Sequence, residues 1–153
     1  MNLWLTLHLV GVVLFVGNIV TAAFWKVRAD IGRNPVVVRD AARSVMLADF
    51  VFTLPGIALI TVSGIAMAHK SGIPMNESNW LTISLAVFGA TGLIWGAVLI
   101  PLQRAMIRHS EASVAGGSLS AEYRRVSRLW AVFGTAATLL PIVVLALMIA
   151  KPF

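Results

Sequence analysis

Residues 3–25 read LWLTLHLVGVVLFVGNIVTAAFW, an apolar run without an acid, a lysine or an arginine, closed by Lys26 and Arg28. About 20 such residues, rising roughly 1.5 Å each as a helix, cross the ~30 Å hydrocarbon layer of a bilayer. Lipid offers no hydrogen-bond partners to a strand edge, and the run shows no period-two alternation, so it reads as a helix. It is too long for a secretory leader, has no basic residues ahead of it, and meets a basic stop. Three further runs of the same kind lie at 44–68, 80–102 and 129–150. Of the 153 residues, 59% are hydrophobic and 12% charged, and a soluble domain of that size cannot bury so much apolar surface. The expectation is an all-α, polytopic membrane protein: a four-transmembrane-helix bundle, with residues 1–153 forming a single domain.

The formal net charge is +6. The basic residues lie between the apolar runs, which points to anionic lipid and away from nucleic acid. Lys26, Arg28, Arg33, Arg39 and Arg43 crowd the first connection, and Arg104, Arg108, Arg124, Arg125 and Arg128 the third. The second has only Lys70, offset by Glu77. Connections one and three therefore face the cytoplasm, and both termini face outward, N-out/C-out. Trp4 and Trp80 agree as outer anchors, Trp25 and Trp130 as inner ones. Asn34-Pro35 reads as a helix cap followed by proline at the first helical position. Ser118 or Ser120, with Glu122 in the first turn, caps the fourth helix. Cysteine is absent, which excludes disulfides, iron–sulfur ligation and thiol catalysis.

Spacing at alternating steps of three and four assigns an inward seam to each helix. His8, Gly11, Phe15, Asn18, Ala22 and Trp25 form the first. Asp49, Thr53, Gly56, Ile60, Ser63 and Met67 form the second. The third seam is Gly89, Gly92, Gly96, Leu99 and Gln103, with Gly92 and Gly96 making a GxxxG that suits a homo-oligomer or a partner in a membrane complex. The fourth is Arg128, Ala131, Thr135, Thr138 and Ile142.

Two of these seams carry chemistry. Asp49 is an acid inside a span and needs company. Arg128 is its expected partner by depth, with Asn18, Lys26 and Gln103 nearby, and the cluster is either a structural ion pair, a relay or a ligand site. His8 lies inside the other end of the bundle. A neutral imidazole there is a hydrogen-bonded core group, or a ligand to haem b or a transition metal, with Ser63 and Met67 near it. His69 is turned away by helical phase, and His109 belongs to the basic connection. Hydrolase triads, phosphate loops and zinc-protease motifs are absent from the sequence, so no catalytic residue is assigned.

The blocks LHLVGVVLFVGNIVTAAFWKVRAD, LADFVFTLPG, IPLQR and EYRRVSRLW, with trailing TLLP and LMIAKP, resemble the DUF2269 family of predicted bacterial integral membrane proteins. The resemblance spans nearly the whole chain and implies a multi-pass protein of the bacterial cytoplasmic (inner) membrane. The first helix alone is similar to that of the copper-resistance-D proteins and the membrane protoporphyrinogen oxidase, which implies a haem or metal near His8. Three functions stay open: a cofactor-binding membrane protein, a small transporter or channel-like protein built on Asp49, and a non-catalytic accessory subunit.

Overall fold

The computed structural model describes residues 3–152, and every element among them is helical. Four long helices follow one another: α1 Leu3–Gly32, α2 Pro35–Ser71, α3 Trp80–Gly116 and α4 Ala121–Ala150. Each is long and apolar enough to cross a membrane. With 30 or 37 residues, they measure about 45–55 Å at the usual rise and so extend beyond the hydrocarbon layer. Val13, Ile31, Leu93 and Ile149 are all more than 70% exposed, an outer surface that lipid, rather than water, suits.

The ends follow the local chemistry. Asn34 accepts a hydrogen bond from the Val36 N–H at 3.0 Å and Pro35 opens α2, as the sequence suggests. Asn79 caps α3 with a reciprocal bond from Thr82. Ser120, not Ser118, caps α4 by accepting from the Tyr123 N–H. Gly117 ends α3 with φ +75°, a conformation that costs a residue with a Cβ.

Both middle helices change pitch where they pass one another. Asp49–Thr53 in α2 and Ile94–Leu99 in α3 are π-helical, and Pro55 and Pro101 follow closely. A wide turn before a proline removes an α-helical carbonyl from the position its ring would strike. The extra residue also shifts helical phase. The buried positions of α3 include Ser84, Thr91, Leu99, Gln103 and Met106, with a step of eight residues from Thr91 to Leu99. The constant spacing read from sequence placed Gly89, Gly92 and Gly96 inward; instead a Cβ at any of them meets nothing within 4 Å.

The α4 seam also needs correction. Tyr123, Trp130, Ala137, Pro141 and Val144 are buried, whereas Arg128, Ala131, Thr135 and Ile142 are exposed. The heptad pattern fitted two faces of α4, and small or polar character chose the wrong one. Trp130 is accordingly a packed interior group rather than an interfacial anchor, while Trp25 is 64% exposed.

Packing differs between the two ends. At the end that carries the basic connections, called the basic end below, Ala29, Val38, Val45, Met106, Tyr123 and Trp130 belong to one core drawn from all four helices. Toward the far end the helices pair off, the later part of α2 against α1 and the first part of α3 against α4. The α1–α2 crossing is backbone on backbone. A Cβ on Gly56 would lie 2.9 Å from the Phe15 nitrogen, and one on Gly11 would lie 3.0 Å from the Gly56 carbonyl oxygen. Between the pairs, Phe15 and Phe88 meet edge to face at 5.8 Å.

Candidate functional site

The π-helical turn of α2 begins at Asp49, and the side chain enters the bundle at 5% exposure. An acid so placed in a membrane-spanning segment must be paired or hydrogen-bonded, because hydrocarbon cannot solvate it. Four donors converge on it. Asn18 Nδ2 and Thr53 Oγ1 donate to Oδ1, each at 2.9 Å. Gln103 Nε2 donates to Oδ2 at 2.6 Å and Trp95 Nε1 at 3.2 Å. Asn18 Nδ2 also donates to Thr53 Oγ1 at 2.9 Å, closing a triangle between α1 and α2. Both π segments thus contribute, α2 through Asp49 and Thr53 and α3 through Trp95.

All four donors are neutral. Arg128, expected beside Asp49, is exposed, and no ion pair to Asp49 forms among the described residues. Equal depth along two helices does not fix the direction in which each side chain points, and the α4 phase turns Arg128 outward. Asn18 and Gln103 do join Asp49. Lys26 belongs to another cluster.

That second cluster ties α1 to α4 at the basic end. Lys26 Nζ reaches Asp30 Oδ2 at 2.5 Å and also donates to Ser127 Oγ. Asp30 accepts from Tyr123 Oη at 2.6 Å and from Ser127 Oγ at 2.9 Å. The ammonium also lies 5.0 Å from the centre of the Trp130 ring. Asp30, Tyr123 and Ser127 escaped the sequence reading, although Lys26 and Asp30 stand at i and i+4, a spacing that places them on one helical face.

His8 is buried on α1, and its Nδ1 lies 3.1 Å from Ser63 Oγ, whose own hydrogen goes to the Leu59 carbonyl. The small residues beside it are packed against neighbouring atoms. Gly11 and Gly56 form the helix crossing, and a Cβ on Gly64 would stand 3.4 Å from the His8 ring. Met67 is half-buried one turn beyond Ser63, and His69 is exposed. No group of three or more His, Cys, Asp or Glu side chains able to hold a metal occurs among the described residues. The residues around His8 do not fit a haem.

Two openings meet at the Asp49 cluster. A groove of ≈710 Å³ between α1 and the first part of α2 is lined by Asn18, Thr21, Arg28, Asp40 and Ser44 among others. A cavity of ≈330 Å³ between α1 and α4 is lined by Asp49, Trp95, Gln103 and Trp130, with Thr91 and Thr138. Asn18 borders the groove, Asp49 borders the cavity, and Ala22 and Val45 border both.

A family model described as predicted integral membrane protein (DUF2269) matches residues 2–152. No curated protein and no solved structure matches the chain.

Proposed function

The chain belongs to the DUF2269 family of predicted integral membrane proteins, and from that premise we propose that it is a small transporter in which Asp49 takes up and releases a cation, the proton foremost. One observation carries this reading: a buried acid with four neutral partners and no counter-cation among the described residues, placed where two openings converge. A structural acid in lipid is normally matched by a base. An acid held mainly by amides and a hydroxyl is suited to changing its charge, because Asn18, Gln103 and Thr53 can turn from donating to accepting as the proton arrives. The proton is also the smallest cation that neutralises the group without needing new ligands.

The test uses proteoliposomes enclosing a pH-sensitive dye, with a potassium diffusion potential as the driving force. Wild-type protein is expected to acidify or alkalinise the lumen above the rate of empty vesicles, and Asp49→Asn is expected to fall to that background. Equal rates for the two proteins would remove Asp49 from the pathway.

The reading includes a membrane address. The basic end faces the cytoplasm of a bacterial inner membrane and both termini face outward, supported by the nine exposed or half-exposed arginines from Arg28 to Arg128 on one end of the bundle. A second reading has its own support. Gly89, Gly92 and Gly96 are open along α3, which leaves room for the close approach of another helix, from a second copy or a larger membrane complex. Crosslinking through a cysteine at Gly92 tests it. The haem or metal reading at His8 is the least supported, since helix packing fills the space such a group needs.

A further inference from the structure

The cavity between α1 and α4 has a polar end and an apolar mouth. Asp49 and Gln103 line the inner end, whereas Val20, Val27 and Leu139, all exposed, line the side toward lipid. Two buried polar atoms of its lining have no hydrogen-bond partner, Gln103 Oε1 and Trp130 Nε1, in residues 1% and 7% exposed. Buried orphans of this kind are rare in folded proteins, and each calls for a missing partner.

The chemistry of that partner can be read from what the lining offers. The hydroxyls of Thr91, Thr135 and Thr138 donate to the carbonyls of Val87, Ala131 and Gly134 on their own helix, so toward the cavity their oxygens accept. Gln103 Oε1 accepts. Asp49 contributes a carboxylate without a counter-cation. The Trp130 N–H is the one orphaned donor. Acceptors and negative charge at one end, aromatic and aliphatic side chains elsewhere, call for a cationic hydrogen-bond donor on an apolar body. A water would serve either orphan, but it occupies only about 30 Å³ and brings no charge.

We propose that this cavity binds a protonated amine carried on a small apolar chain, admitted from the bilayer between α1 and α4, with the ammonium at Asp49 and Gln103. The proposal rests on the transport reading of Asp49 and names the class of solute. The ammonium needs no free lone pair on Asp49, since its attraction to the carboxylate acts through space in a low-dielectric setting. A hydroxyl next to the amine supplies the acceptor that the Trp130 N–H lacks. The mouth opens to lipid, which concentrates amphiphiles, so the solute reaches the site without crossing a polar vestibule.

The experiment measures the melting midpoint of purified protein in mild detergent, with decylamine as the probe and decanol as its uncharged counterpart. Decylamine is expected to raise the midpoint by several degrees, with an apparent affinity at least tenfold tighter than that of decanol. In Asp49→Asn the preference for amine over alcohol should vanish. Because Asp49→Asn also alters the hydrogen-bonded cluster, Gly134→Leu provides an independent arm. Gly134 lines the cavity, and a Cβ there meets nothing within 4 Å, so a leucine side chain starts from open space at the cavity wall. It should keep the unliganded midpoint and weaken decylamine at least tenfold. Equal stabilisation by both probes, or undiminished binding in Gly134→Leu, overturns the proposal. Proton flux that depends on Asp49 without any amine preference would leave the transport reading standing and remove this one. Amine binding without flux would keep the site and remove transport.

Discussion

At the residue scale the two polar clusters behave differently when a member is removed. Lys26 is buried against Asp30, and losing one partner of such a pair costs about 3–5 kcal/mol because the other charge stays buried alone. Asp30→Asn is therefore expected to lower the melting midpoint in detergent sharply, and Lys26→Met in the same protein to recover much of the loss. Additive losses in the double variant would show that the two side chains act separately. The sequence made Asp49, Asn18 and Gln103 legible as one cluster, because depth along a helix follows directly from residue number. Around the axis of α4 it allowed two faces, and the wrong one paired Arg128 with Asp49 when it faces outward. Trp95 was missed for the opposite reason. An aromatic residue in an apolar run looks like lipid-facing or core material, and only the π turn brings its N–H to the carboxylate.

At the element scale glycine has two roles that a spacing pattern cannot separate. Gly56 lies against the backbone of α1, so Gly56→Ala places a methyl group 2.9 Å from the Phe15 nitrogen. Two helices must then move apart, at a cost of about 1–3 kcal/mol typical of overpacking. Gly89→Ala meets open space and should stabilise the protein in detergent by about 0.5–1 kcal/mol, the usual gain from replacing a glycine inside a helix. Similar losses for the two would mean that α3 is covered by a partner through its glycine face. The seams of α2 and of most of α1 were readable, since His8, Phe15, Asn18, Thr53 and Ser63 keep a near-regular step, although Trp25 at the end of the α1 seam is exposed. The seam of α3 was readable at Leu99 and Gln103 but not at the glycines before them. A π segment leaves only the weak trace of a following proline, and one additional residue rotates everything beyond it by roughly 100°.

At the scale of the whole molecule, four spans and their order were written in the hydropathy, because lipid removes every alternative to helices of a fixed minimum length. Orientation is a matter of charge, and it is testable with cysteines in a chain that has none. Ser71→Cys, at the exposed end of α2, is expected to react with an impermeant thiol reagent applied to intact cells. Ser118→Cys, between α3 and α4, is expected to react only after permeabilisation, and the reverse pattern would invert the protein in the membrane. The arrangement of the helices in pairs was beyond the sequence, since it depends on which seams meet. All four helices are knitted together at the basic end, while toward the far end α1 with α2 and α3 with α4 stand as separate arms. The bundle is thus a pair of tweezers with its spring at one face of the membrane. Spreading the tips breaks no backbone hydrogen bond and parts the Phe15–Phe88 contact, worth about 0.5–1.5 kcal/mol beyond its buried area, so the squeeze of the surrounding acyl chains becomes one of the forces that hold the tips together.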